Sequence, residues 1–506
     1  MTQSIALIFL GIFVVFMFLV GIVSMKKTRT MSDFLLGGRN IGAWMSAFAY
    51  GTSYFSAVIF IGYAGKTGWQ IGIGGIWIGI GNALLGSLLA WWVLAKRTRA
   101  MTHRLNASTM PEFFQARYCS RNMKILAAVI IFIFLLPYSA SVYMGLGYLF
   151  NSVFPGVDYV YCMLFIAVLT AVYLVLGGYV ATALNDFIQG IIMIFGVVVM
   201  VFCIVSNPAV GGLSAGLSKL AALEGGENLT NLFGGRNWFP LASMVLLTSF
   251  GTWGLPQMIH KFYAIRDEKS INKAMVVSTA FAALIGTGAY FVGTFGRLFL
   301  NNTLPNEGYD KIVPDMLIAA FSDGVFSNIL LSVILLLVLS ASMSTLAALV
   351  LTSSSAISVD LLGEMKAKVD KKKQMVLMRV LCLLFVALSF MFASFKISFI
   401  IAMMSFSWGT VSGCFIGPYI WGLYWKKTTK AGAWAGMIAG LLTVSTLVVV
   451  TTVTKGFSAA TANSPLFGTI AMGISVVVVP AVSLVTKQYE KKHTDFVFGD
   501  NEKIAA

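Results

Sequence analysis

The sequence predicts an all-α polytopic membrane protein with 13 transmembrane helices, its N-terminus outside and its C-terminus inside. Three observations predict it. Of the 506 residues, 58% are hydrophobic and 11% charged, with a mean hydropathy of +0.86; a water-soluble domain of that composition would expose far too much apolar surface. Apolar runs able to cross a ~30 Å hydrocarbon core recur along the chain, and none shows the alternation of a membrane barrel. Lys and Arg collect in alternate loops, as topology rather than fold demands.

The first run begins at Ser4, with no basic residue before it and KKTR after it. That is the reverse of a cleaved secretory signal, so residues 1–30 are read as a retained accessory helix. Runs from Gly42, Gly75, Ile125, Tyr159 and Val180 occupy residues 31–204. After an external loop at 205–238, runs from Phe239, Ala274, Phe326, Val376 and Ser398 occupy 239–425. Runs from Ala431 and Ser464 make two accessory helices within 426–486, and 487–506 form a cytoplasmic tail. The outer loops at 206–238 and 301–323 are long enough for short gating helices. In the inner loop 96–124, Thr109 and Glu112 form a T-x-x-E capping box, which marks a short cytoplasmic helix.

The net charge of +16 does not point to nucleic acid. On the topology above, 28 of the 35 basic residues fall inside, at 26–39, 96–124, 261–273, 366–379, 426–430 and 487–503. Lys66, Lys219, Arg236, Arg297, Lys311, Lys396 and Lys455 fall outside or near the outer interface. The partner this distribution fits is a lipid bilayer, and the expected location is the plasma or inner membrane of a cell. Cys162, Cys203, Cys382 and Cys414 lie in spans and Cys119 in an inner loop, with no metal-ligand spacing, so they are read as packing residues. His103, His260 and His493 sit in loops or at ends, and no nucleophile and base share a recognisable motif. An enzyme is not expected.

The chemistry lies in two interruptions and one polar stretch. The second run has glycine and small polar residues at 51–56, and the seventh is broken by Gly251, Gly254 and Pro256, proline because it removes a helical hydrogen bond. The breaks are five spans apart, an odd number, so the second copy enters from the opposite side. Spans 2–6 and 7–11 thus read as inverted five-helix repeats. A broken helix exposes backbone groups that lipid cannot satisfy, which calls for a bound ion, a polar solute or a wet cavity. In the ninth run, LSASMSTL places Ala341, Ser344 and Thr345 on one helix face at i, i+3 and i+4. With carbonyls from Thr52 and Phe55 they make a neutral five-oxygen cage, which suits a monovalent cation better than Ca²⁺ or Mg²⁺. Sodium, Na+, is the natural candidate. Membrane Ser and Thr also bond their own i−4 carbonyls or pack against other helices, so the alternative of plain packing stays open.

Five segments carry a family resemblance: DFLLGGRNIG (33–42), TMPEFFQARY (109–118), LGGYVATALNDFIQG (176–190), SASMSTLAALVLTSSSAISVDL (340–361) and SFSWGTVSGCFIGPYIWGLYW (405–425). From about Asp33 to Trp425 the chain resembles the sodium/solute symporter family, whose fold is LeuT-like, and looks closest to its proline and pantothenate branches. The resemblance implies sodium-coupled symport of a small organic solute by alternating access, the solute being an amino acid, a pantothenate-like compound or another carboxylate. It places sodium on Thr52, Phe55, Ala341, Ser344 and Thr345. It places the solute among Ser53, Tyr54, Ser56, Tyr138, Ser141, Thr248, Thr252, Trp253, Pro256, Gln257 and Trp408.

Two departures matter. Proline transporters of the family carry an aspartate where this chain has Tyr54, and two-sodium members carry hydroxyls where Ala347 and Ala348 stand, so one sodium per cycle is expected. Asp186 is retained; it reads either as a second cation or proton site or as a helix cap at the inner interface. Proton-coupled symport, and sodium-coupled transport of a sugar or sialic acid, are the alternatives. A channel would need no alternating access. A transporter-like sensor is disfavoured because only twenty residues follow Thr486. The expected partners are one solute and sodium; the oligomeric state is open and a monomer is sufficient.

Overall fold

Spanning segments in lipid must satisfy their own backbone groups, and in a computed structural model the regular elements among the described residues are helices. The structure describes residues 2–25, 30–321, 324–364, 371–396 and 399–499. The inner-side basic residues expected at 26–29 and 366–370, and the tail beyond 499, lie outside the described residues.

In chain order the main helices are α1 (Thr2–Met25), α2 (Ala43–Tyr54), α3 (Val58–Gln70), α4 (Gly72–Arg104), α5 (Met110–Tyr118), α6 (Arg121–Val153), α7 (Tyr159–Val172) and α8 (Gly178–Ser206). Then come α9 (Leu213–Ala221), α10 (Trp238–Phe250), α11 (Pro256–Ala264), α12 (Glu268–Gly293), α13 (Ile312–Ala320) and α14 (Val325–Leu361). The last five are α15 (Lys371–Ser394), α16 (Ile400–Tyr424), α17 (Lys430–Lys455), α18 (Ser464–Leu484) and α19 (Lys491–Phe498). Among the described residues, ten helices are long and apolar enough to cross a membrane, and the bent pair α2 and α3 makes an eleventh. Two of the thirteen expected runs are not among these eleven. The helix of α7 runs on past Val172 to the kink at Gly178, about the length a bilayer needs, and the seventh run is divided into α10 and α11, neither of which crosses alone.

Burial sorts these helices into a hub and a lipid-facing ring. In their most apolar stretches, 89% of α14 and 94% of α16 is buried, against 22% for α17. Leu7, Ile8 and Ile12 of α1 and Val449 and Val453 of α17 are exposed, as lipid contacts should be. The α7–α8 boundary falls at Gly178 (φ 56°), where an added Cβ would also lie 2.6 Å from the Phe34 ring; glycine alone fits.

One face is knitted together by the segment between α4 and α6. Thr109 caps α5 by accepting the Glu112 N–H, but the Glu112 carboxylate accepts from Ser108 N–H at 2.7 Å rather than from Thr109, so the expected box is half formed. The Thr109 hydroxyl donates to Asp360 at 2.7 Å, and Lys124 lies 3.8 Å from Asp360 and 3.9 Å from Glu112. Buried Arg117 donates to the carbonyls of Gly422 and Trp425 and stacks its guanidinium near Phe498 of α19. On this side the chain entering α2 meets the chain leaving α11. Ile41 N–H donates to Ala264 O at 3.2 Å, and Arg266 N–H donates to Ile41 O at 3.0 Å.

At the other end, both loops expected to hold short helices do so, in α9 and α13. Arg297 donates to the Trp69 carbonyl at the end of α3. Asp310 is buried and accepts the Ile400 N–H at 3.1 Å, capping α16. Burial pushes its carboxyl up to about 6, only partly offset by that hydrogen bond and by Lys66. A folded-state value above the unfolded one means the folded protein holds the proton more tightly. This contribution to stability is therefore complete below about pH 4 and is lost as pH rises through about 6. Thermal midpoints should fall between pH 4 and 7 by the equivalent of about 2 kcal/mol, and Asp310→Asn should flatten that slope.

Candidate functional site

Both interruptions form, each from its local residues. α2 ends at Tyr54, and Phe55 is extended (φ −105°, ψ 129°). Ser56 then starts α3, its hydroxyl accepting the Val58 N–H at 3.2 Å. In the second break, Gly251–Trp253 tightens into a 3₁₀ turn and Leu255 is extended (φ −81°, ψ 119°). Pro256 is the first residue of α11, where a missing N–H costs nothing. Proline therefore opens the second half-helix rather than cutting a continuous one.

The first break is pinned to α14. Ala57 N–H donates to the Ser342 hydroxyl at 2.9 Å, which in turn donates to Val338 O at 2.7 Å. The sequence pattern singled out Ser344 and Thr345 but gave no role to Ser342. Ser342→Ala would leave a buried N–H unpaired, a loss of about 1–3 kcal/mol; a lowered thermal midpoint checks it.

Next to that pin, oxygens converge. The Thr345 hydroxyl lies 3.1 Å from Ala341 O, 3.3 Å from Ser53 O, 3.4 Å from Thr52 O and 3.5 Å from Phe55 O. Its single proton can satisfy only one of them. The Ser344 hydroxyl donates to the Thr52 hydroxyl at 2.8 Å, and that hydroxyl donates to Phe48 O at 2.8 Å. The structure thus brings Thr52, Phe55, Ala341, Ser344 and Thr345 together and adds the Ser53 carbonyl. Oxygens roughly 3.4 Å apart form the edges of an octahedral shell at about 2.4 Å from its centre, a distance usual for an ion of calcium's size; sodium is nearly as large. Among the described residues no group of three His, Cys, Asp or Glu is placed to hold a metal ion. The oxygens that converge on Thr345 are carbonyls.

Asp186 lies in the body of α8 rather than at its start, so it caps no helix. It is buried, with Lys261 Nζ of α11 at 3.7 Å. Sequence placed Lys261 only among the inner-loop charges.

The eleven solute positions divide. Trp408 packs on Tyr54 (ring centroids 6.1 Å) and Tyr138 (5.7 Å) and sits against Gly251 of the second break. The Tyr54 hydroxyl donates to Thr248 O at 2.6 Å, tying the first break to α10. The Thr248 hydroxyl is 2.8 Å from Asn82 Oδ1, the Thr252 hydroxyl 3.1 Å from Gly86 O, and Trp253 Nε1 3.0 Å from Leu85 O, all on α4. Ser141 bonds Tyr138 O in its own helix, and Ser56 serves as a cap. Pro256 lines a small pocket with His260 and Asp360 instead. The buried atoms with no hydrogen-bond partner among the described residues include Ser53 Oγ, Gln257 Oε1, Trp408 Nε1 and Asn82 Nδ2. Asn82 was missed in the sequence. A mid-span amide in a Gly-rich run was its only signal.

Interrupted helices around a buried polar centre, in an all-helical membrane protein, define a multi-pass transporter. The chain belongs to the sodium:solute symporter family, whose model matches residues 34–440; sodium is that family's coupling ion. It is 30% identical over 455 residues to the osmoregulated proline transporter OpuE of Bacillus subtilis, covering 88% of this chain and 89% of that one. It is 30% identical over 444 residues to a sodium/proline symporter of Haemophilus influenzae, covering 87% of each. Its fold is shared with an outward-open Na+-coupled sialic acid symporter (TM-score 0.75, 14% identity, 96% of this chain and 99% of that one). It is shared more loosely with the nucleobase-cation-symport-1 transporter Mhp1 in a closed conformation (TM-score 0.53, 13% identity, 92% and 97%).

Proposed function

We propose that this protein imports a small carboxylate-bearing or zwitterionic solute together with one sodium ion by alternating access. The sodium ligands are the carbonyls of Thr52, Phe55 and Ala341 and the hydroxyls of Ser344 and Thr345. The observation that carries this reading is the crowding of four carbonyls around the single Thr345 hydroxyl, an excess of acceptors that a cation would balance. Those ligands come from a broken helix and from α14, so the ion favours the state in which the two are together, and its loss lets them part. One charge moving inward is worth ~2.3 kcal/mol per 100 mV, and a tenfold gradient adds ~1.4 kcal/mol. Together they support accumulation of several hundredfold.

The solute lies between the two breaks, α6 and α16, where Ser53, Gln257, Trp408 and Asn82 present unpaired polar atoms. All are neutral, so a carboxylate is held by hydroxyl, amide and indole donors and by the sodium itself. The relatives point to proline, and Tyr54 in place of an acidic residue favours a broader or different choice, pantothenate among them.

The fold reading behind this is thirteen helices with N-terminus out and C-terminus in. It has repeats at 31–204 and 239–425, an accessory helix at 1–30, a loop at 205–238, accessory helices at 426–486 and a tail at 487–506. The pairing of Ile41 with Ile265 supports inversion, because it sets the start of one broken span beside the end of the other. The test is uptake of labelled proline, pantothenate and sialic acid into proteoliposomes. Sodium-driven uptake with a Hill coefficient near one is expected. A coefficient clearly above one refutes the stoichiometry, and uptake driven by a pH gradient without sodium favours proton coupling.

A further inference from the structure

One buried ion pair stands beside the proposed cage without a part in it. Asp186 of α8 and Lys261 of α11 are each 2% exposed and lie 3.7 Å apart. The Tyr179 ring lies 5.1 Å from the ammonium, and the Ser344 hydroxyl lies beside the carboxylate. A carboxylate buried this deeply requires a positive partner. Two sources exist here: a fixed ammonium, or a metal cation arriving from the cage that Ser344 shares. The separation exceeds a hydrogen bond, and Asp186 Oδ2 has no hydrogen-bond partner among the described residues. Charge, not directional bonding, holds the pair, and a carboxylate oxygen is left to coordinate.

We propose that Lys261 is a tethered cation whose ammonium takes the place beside Asp186 that a second sodium ion would occupy, fixing the protein at one bound sodium. The Asp186–Lys261 pair is neutral, so a further sodium there would carry an uncompensated charge. Without Lys261 the same pocket is anionic. Lys261 shares α11 with Pro256 and Gln257, so the pair also fastens the inner half of the second break to α8. The inference rests on the sodium cage proposed above.

The test counts ²²Na+ bound per chain on the purified full-length protein, without solute. Wild type should bind one ion, Lys261→Met two, Lys261→Arg one, and the charge-neutral double variant Lys261→Met/Asp186→Asn one. Two ions on wild type, or one on folded Lys261→Met, overturns the proposal. If Lys261→Met melts early in choline chloride, sodium should restore its thermal midpoint, and equal loss in both salts also overturns it. Failure of the cage itself looks different: wild type then binds no ion, or Thr345→Ala leaves its affinity unchanged.

Discussion

Thr345→Ala is expected to raise the sodium concentration for half-maximal binding by roughly ten- to a hundredfold, because a neutral oxygen facing a charge contributes about 1.5–3 kcal/mol. The hydroxyl lies within 3.5 Å of all four carbonyls, so removing it deletes one ligand and loosens the rest. Ser344→Ala should act in the same direction through the Thr52 hydroxyl it bonds. The control is Ser332→Ala on the same helix. Its hydroxyl donates only to its own i−4 carbonyl, Asn328 O, at 2.7 Å, and sodium affinity should not change. This contrast separates a cation site from the ordinary back-bonding of serine in membrane helices. Unchanged sodium titrations in both Ser344→Ala and Thr345→Ala would remove the cage.

The parts legible in the sequence are those set by local chemistry. Glycine and small polar residues in the middle of an apolar run locate both breaks, because a helix interior there gains little from them and lipid cannot solvate what they free. The i, i+3, i+4 spacing of Ala341, Ser344 and Thr345 follows from helix geometry alone. What the sequence hides depends on backbone angles or on distant partners. The Ser53 carbonyl joins the cluster only because Phe55 turns extended. Pro256 reads as a breaker until the turn at Gly251–Trp253 makes it a helix start. Lys261 looks like one more topogenic charge, since nothing in one dimension pairs it with Asp186.

Gly68→Leu is expected to remove most of the folded protein, because the clash it creates is with backbone. A Cβ on Gly68 of α3 would fall onto the carbonyl of Gly293, where α12 ends, and a Cβ on Gly293 would fall onto the carbonyl of Ala64. The contact is reciprocal: two main chains touch with no side chain between them, the close approach that small residues permit in membranes. Overpacking costs about 1–3 kcal/mol where side chains can yield, and here the obstructing atoms belong to helices that cannot. Gly11→Leu and Gly473→Leu make the same exchange at positions with nothing within 4 Å of the new Cβ, and both should give a monodisperse peak on size exclusion in detergent. A Gly68→Leu protein as well behaved as those two would disprove the crossing. The milder Gly68→Ala carries the argument to function. α3 runs directly from Phe55 and Ser56, so forcing it away from α12 displaces the Phe55 carbonyl, and sodium affinity should fall although no ligand has been altered.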